Sequence, residues 1–277
     1  MTSSLAKRVL TGVILAAVVA TATLILPSLW FALLIAAFSL VGAWEWAGLA
    51  GWPSTGQRLA YGGASVLVLL ATAWLVASEA GVWAVLLAGL VWWLVALAWV
   101  VRFQQGLPVD ALNHPLVRLL AGWLVLAPAW GAVVYLHGVA ESGPWLVLYL
   151  VFMNSTADSA AYFVGKRFGS RQLASNVSPG KSLEGLAGGL LAVASLAIVV
   201  ALVADFVRPL GFVVLSLITA LVSILGDLTE SVVKRRAGLK DSGSIVPGHG
   251  GILDRIDSIT AAAPIFVLGC LWQGGVL

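Results

Sequence analysis

PLGFVVLSLITALVSILGDLTESVVKRRAGLKDSGSIVPGHGGILDRIDS, Pro209 to Ser258, changes character at a single residue. Pro209 to Gly226 carries no charge, whereas Asp227 opens a crowded stretch. Of the 15 basic and 12 acidic side chains in the whole chain, five of each lie between Gly226 and Ser258. Proline at a first helical position and glycine just past a last turn fit one helix from Pro209 to Ala237, with Gly238 at C′. An apolar shaft ending in charge reads as a helix leaving a bilayer, and charge beside hydrocarbon is costly enough to mark a site more often than a scaffold. On that helix Asp227, Glu230, Ser231 and Lys234 fall at i, i+3, i+4 and i+7, which is one face. Arg235 and Arg236 also fit a solvated surface.

The rest of the chain agrees with a membrane setting. It is 61% hydrophobic and only 10% charged, against about 25% charged in a soluble domain, and its mean hydropathy is +1.03. Apolar runs recur near the ~20 residues that span a bilayer as helix. The expected fold is all-α: a polytopic integral membrane protein with about nine transmembrane helices, near 8–28, 29–49, 60–78, 82–101, 116–137, 144–164, 185–204, 209–228 and 252–272. With the N-terminus cytoplasmic, 14 of the 15 Lys and Arg fall on the cytoplasmic side and only Arg208 falls outside, as the positive-inside rule requires. The first apolar run continues past the cleavage-like Ala20-Thr21-Ala22, so a retained span is expected there, not a signal peptide.

Residues 1–110 are expected to form N-terminal transmembrane helices without catalytic motifs, and 111–277 a catalytic transmembrane domain with its site on the cytoplasmic face. Twelve of the 13 Trp lie before residue 146, many near span ends as interfacial anchors. Glu45, between Trp44 and Trp46, reads as one more interfacial residue. His114 and His137 are isolated and receive no role. Cys270 reads as a small buried hydrophobe.

Residues 146–277 differ: polar groups appear there inside spans and in two dense segments. Asp158, with Asn154, Ser155 and Thr156, makes a polar band about 12 Å below Lys166 at 1.5 Å per residue. Such a carboxylate pairs with a cation, lines a cavity or binds an ion. Downstream, Ser178-Pro179-Gly180-Lys181-Ser182 resembles the tail of a P-loop, but Ser175 stands where the Walker pattern needs glycine. No strand is expected before it either, which excludes an ordinary P-loop NTPase. What remains is a Gly/Ser loop with Lys181, then Glu184 at a helix start, where backbone N–H groups can cradle a phosphate. Gly185 and Gly189 give the small-xxx-small spacing of a closely packed helix pair.

After the charged helix, Asp254 and Asp257 share a face at i, i+3 around Arg255. Together with Asp227 they offer hard oxygen ligands without Cys or clustered His, which favours Mg²⁺. Gly248, Gly250 and Gly251 around His249 allow backbone to approach a ligand closely. Carboxylates, cations and a glycine loop at one membrane edge suggest phosphoryl or nucleotidyl transfer to or from a lipid. An ion-coupled transporter with Asp158 and Asp227 as coupling sites would need inverted repeats and mid-membrane polar residues in both halves; no such symmetry is visible.

Taken together, Ser231-Val-Val-Lys234-Arg235, Lys240-Asp241, His249-Gly250-Gly251 and Asp254-Arg255-Ile-Asp257 resemble the signature of the phosphatidate cytidylyltransferase (CDP-diacylglycerol synthase) family. The blocks DSAAYFVGKRFG, SPGKSLEG and GDLTES resemble that family's blocks in the same order, so the likeness covers most of 158–258. Ser182, Leu183 and Val246 depart mildly from the family pattern. The resemblance implies a nucleotidyltransferase of phospholipid biosynthesis that converts CTP and phosphatidate to CDP-diacylglycerol and pyrophosphate. It implies Mg²⁺ held by Asp227, Asp254 and Asp257, with Asp158 a further candidate, and leaves room for a second cation. Lys181, Lys234, Arg235 and Arg255 would neutralise phosphates, with Asp241 and His249 in the catalytic set. Ser178, Ser182, Glu184, Ser231, Lys240, Gly250 and Gly251 would contact substrate. The implied partners are CTP, phosphatidate and the lipid bilayer, with room for a homodimer and no nucleic acid. The implied location is the bacterial inner membrane, with the site facing the cytoplasm. A cytidylyltransferase acting on another lipid phosphate, isoprenoid or ether, is the nearest alternative.

Overall fold

The computed structural model describes residues 17–204, 206–243 and 250–274. Helix α1 covers 17–25 within that range. It is followed by α2 (Ser28–Leu49), α3 (Thr55–Val76), α4 (Glu79–Gln104), a 3₁₀ turn (Asp110–Asn113), α5 (Pro115–His137) and α6 (Gly143–Phe168). A two-stranded hairpin, β1 (Gln172–Ala174) and β2 (Ser178–Ser182), leads into α7 (Leu183–Val203), α8 (Pro209–Arg236) and α9 (Leu253–Trp272). The helices start where local chemistry supplies caps. Ser54 and Gln57 form a reciprocal capping box on α3, Ser78 caps α4 and Ser182 caps α7, and proline opens α5, α6 and α8. Gly238 ends α8 with φ +71°, the left-handed C′ residue expected there.

Seven helices, α2–α5 and α7–α9, are long and apolar enough to cross a membrane. Helix α6 occupies its expected place over 26 residues, but the Asn154–Asp158 band makes it less apolar than the others. Three donors of that band bond within their own helix, while Asn154 Oδ1 is buried without a hydrogen-bond partner among the described residues. Asn154 Nδ2, Ser155 Oγ and Thr156 Oγ1 donate to the carbonyls of Leu150, Val151 and Phe152. The expected first span, 8–28, lies partly outside the described residues.

Helices α5 and α9 form the centre of the bundle, 72% and 56% buried over their most apolar windows. Both contain a proline, Pro128 and Pro264. The two rings meet at Gly89 of α4, where an added Cβ would stand 3.0 Å from Pro128 and 3.2 Å from Pro264, so the three helices cross closely at this glycine. One core cluster gathers Phe212, Phe266, Met153 and Val193. A second, at the end holding the charged stretch, gathers Trp46, Tyr61, Trp92, Val232 and Leu253. Tryptophans read as interfacial anchors therefore also build core. Trp46 is 1% exposed and donates its indole N–H to the Arg118 carbonyl at 2.7 Å.

Two expectations are corrected. Ser178–Ser182 is not a loop: it is a strand paired antiparallel with β1, Gln172 opposite Ser182 and Ala174 opposite Ser178, across an irregularity. Gln104 at the end of α4 fixes the hairpin's turn, accepting from Asn176 N and Nδ2 and donating to Ser175 Oγ. Such a long-range partner leaves no local trace. His137, read as isolated, does end α5 but is held in place: it is 4% exposed, stacked on Phe31 and bonded to Thr23 O and Ser28 Oγ.

Candidate active site

The hairpin places Lys181 opposite α8. Its Nζ lies 2.6 Å from Asp227 Oδ2, with side chains 27% and 32% exposed. Behind this pair, α6 and α7 approach without intervening side chains. An added Cβ at Gly185 would meet the Ala161 carbonyl at 2.7 Å, and one at Gly189 the Ala157 carbonyl at 2.9 Å. The small-residue spacing thus packs α7 on α6, as expected. Beside this contact opens a cavity of about 510 Å³. Asp158, Lys181 and Asp227 line its polar end, and Leu186, Leu190 and Ile224 its apolar flank.

A second cluster lies deeper, between α8 and α9. Lys234 Nζ sits 2.5 Å from Asp254 Oδ1 and 3.1 Å from Glu230 Oε1, with side chains 12%, 10% and 3% exposed. Asp254 Oδ2 accepts from Ser242 N (3.0 Å), Ser242 Oγ (2.9 Å) and Gly251 N (2.8 Å). Both oxygens of this expected metal ligand are therefore engaged. Gly250 has φ +82°, and a Cβ there would stand 2.6 Å from Asp254 Oδ2. Its glycine is required twice, by conformation and by space. Glu230 lay on the expected carboxylate face but received no role. Its i+4 spacing to Lys234 was the available signal.

The other sequence candidates scatter around these two clusters. Ser231 Oγ donates to Asp227 Oδ1 at 3.3 Å. Asp257 accepts from Ser258 N at 2.7 Å and interacts electrostatically with Asp227. Its helix lies hard against Gly226, where an added Cβ would meet Ala261 at 3.0 Å. Asp158 lies on the cavity wall and feels both Lys181 and Asp227. Ser182 Oγ accepts from Gly185 N at 3.1 Å, so its hydroxyl is spent on the helix cap. Glu184 turns its carboxylate onto Ser170 and Arg171, tying the chain that leads into the hairpin to the start of α7. Arg235, Lys240, Asp241 and Arg255 are exposed, and Ser178 is half-buried. His249, with Gly248 and Val246, lies outside the described residues. Among the described residues no three His, Cys, Asp or Glu are gathered as a ready metal cage.

One residue that sequence reasoning set aside belongs here. Glu45, expected at the membrane interface, is 2% exposed. Its Oε1 accepts from Ile252 N (3.1 Å) and its Oε2 from Leu253 N (2.8 Å), while Ser242 Oγ, 3.2 Å away, shares its one proton between Glu45 Oε2 and Asp254 Oδ2. The flanking tryptophans gave the interfacial reading. The partners that overturn it are backbone amides some 200 positions away, which carry no pattern.

These features define an integral-membrane helical protein whose candidate site pairs lysines with carboxylates at one end of the bundle, beside a cavity part charged and part apolar. The chain matches the cytidylyltransferase family over residues 6–271. The phosphatidate cytidylyltransferase of Pseudomonas aeruginosa is 42% identical over 273 residues, 98% of each chain. That of Haemophilus influenzae is 38% identical over 95% of this chain and 97% of its own. The Bacillus subtilis enzyme of the same name is 42% identical over 134 residues, about half of each chain. The chain belongs to the cytidylyltransferase family, which sets aside the transporter reading.

Proposed function

We propose that the protein makes CDP-diacylglycerol from CTP and phosphatidate. The observation that carries this reading is the cavity between α6, α7 and α8. It joins Lys181 and Asp227 to an apolar flank on bilayer-length helices, a shape suited to a substrate with an anionic head and hydrocarbon tails. The naming of near full-length relatives supports it further. A phosphatidate oxygen attacks the α-phosphorus of CTP in line. The bond from that phosphorus to the bridging oxygen breaks, and pyrophosphate leaves with the electron pair. The nucleophile is already an anion, so neither a covalent intermediate nor a strong base is needed, and catalysis is positioning and charge neutralisation.

Lys181, the more accessible lysine, takes phosphate, while Lys234 stays locked between Glu230 and Asp254 and holds α8 to α9. The oxygens present suit Mg²⁺, which uses one or two protein carboxylates together with substrate phosphates and so needs no prebuilt cage. Asp227, half-exposed at the cavity, and Asp257 would hold it, with Asp158 in reserve and Asp254 orienting the first turn of α9. The cation would supply neutralisation of phosphate charge. Nine spans, a cytoplasmic N-terminus and a site on the cytoplasmic face of the bacterial inner membrane complete the reading, supported by the distribution of Lys and Arg.

The test is purified protein in mixed micelles with labelled CTP, Mg²⁺ and phosphatidate. CDP-diacylglycerol and pyrophosphate are expected in equal amounts, and EDTA is expected to stop both. Absence of product across phosphatidates of several chain lengths, with product from an isoprenoid or ether lipid phosphate, would move the protein to the alternative substrate.

A further inference from the structure

We propose that Glu45 is a positioning residue for the reaction: from the N-terminal part of the chain, its carboxylate sets the entrance of α9 and with it Asp254. The inference rests on the reading of Asp254 as part of the site. Helix α9 begins without a side-chain cap of its own, although the first amides of any helix need acceptors. Glu45 supplies them from α2, taking Ile252 N and Leu253 N on separate oxygens. A carboxylate at a helix N-terminus is also favoured by the helix dipole, and its hydrogen bonds are of the stronger, charge-assisted kind.

The second contact makes the arrangement more than a cap. Ser242 Oγ lies 3.2 Å from Glu45 Oε2 and 2.9 Å from Asp254 Oδ2. Glu45 therefore grips the connection between α8 and α9 on both sides, at Ser242 and at Ile252–Leu253. Space was left for this. Added Cβ atoms at Gly243 and Gly251 would both run into the Glu45 carboxyl. Glu45 cannot easily swing away either. Neighbouring Trp46 is pinned to the Arg118 carbonyl, and one turn earlier the helix packs on Leu253 at Gly42, where an added Cβ would stand at contact distance, 3.5 Å from Leu253 Cδ1. The rotation of α2 is thus fixed relative to α5 and α9. No part of Glu45 lines the cavity, so it acts through Asp254 rather than on substrate.

The experiment measures kcat and KM for CTP, per folded molecule, for Glu45→Gln, Glu45→Asp, Ser242→Ala and Asp254→Asn in mixed micelles. Glu45→Gln keeps the shape but must turn its NH2 toward one of the two backbone N–H groups, of Ile252 or Leu253, that the carboxylate now accepts from. Its kcat should fall about 10- to 100-fold, the cost of slight misplacement of reacting groups, while KM for CTP stays within about threefold because Lys181 is untouched. Glu45→Asp keeps the charge one methylene short and should recover part of the loss. A residue that only stabilises the fold would lower the melting temperature or yield and leave kcat per folded molecule unchanged, and that result overturns the proposal. If neither Glu45 variant folds, Ser242→Ala decides: a several-fold lower kcat supports the link, and an unchanged one sinks it. Full activity in Asp254→Asn would instead remove the site reading itself. Inactive Asp254→Asn beside fully active Glu45→Gln would defeat this inference alone.

Discussion

Lys181 and Lys234 each end within hydrogen-bonding distance of a carboxylate, yet they occupy different kinds of place. Lys181 and Asp227 come from the hairpin and α8, are about 30% exposed and face the cavity. Lys234 comes from α8 itself, meets two acids at once and is nearly enclosed. A pair in contact with water contributes little to stability and gives up its partner readily. A buried cluster is the reverse: removing one member strands the others in low dielectric. The first arrangement suits exchange with a substrate phosphate, and the second suits holding two helices in register.

The comparison is open to breakage by substitution. Lys234→Met should cost the most, about 3–5 kcal/mol of stability, because Glu230 and Asp254 lose their buried counter-charge; thermal unfolding in detergent measures it, and a change under 1 kcal/mol would dissolve the distinction. Lys181→Ala should leave unfolding almost unmoved and lower kcat/KM for CTP about 100-fold, roughly 2.7 kcal/mol of transition-state stabilisation. Gly250→Ala, on the enclosed side, should destabilise by about 1–3 kcal/mol through its positive φ and its crowding of Asp254. Smallest is Ser182→Ala, on the open side: about 1 kcal/mol from the lost cap of α7, with KM for CTP unchanged. A raised KM there would return Ser182 to the substrate.

Much of this was legible in the residues. Apolar runs located the helices from α2 onward to within a few positions, and Gly238 marked the end of α8, because hydrophobic length and caps are local signals. The carboxylate face of α8 was visible for the same reason: Glu230 and Lys234 are four residues apart. What stayed hidden depends on contacts distant in sequence. Strands of three and five residues, held by Gln104, have no periodicity to read. Asp254 could be named as a site candidate, but not the engagement of both its oxygens, which needs Ser242 and Gly251 folded back upon it. Glu45 was misplaced because an acid between two tryptophans looks the same whether it meets headgroups or helix amides.

The Lys181–Asp227 bridge has one more consequence. At rest Asp227 is answered by the Lys181 ammonium, so this end of the cavity carries its own counter-ion. On the proposed reading, a phosphate that drew Lys181 away would leave Asp227 as an unbalanced anion at the cavity, and a cation held there would restore the balance. Substrate loading at the edge of the hydrocarbon would then be an exchange of counter-ions at Asp227, one cation leaving the carboxylate as another takes its place.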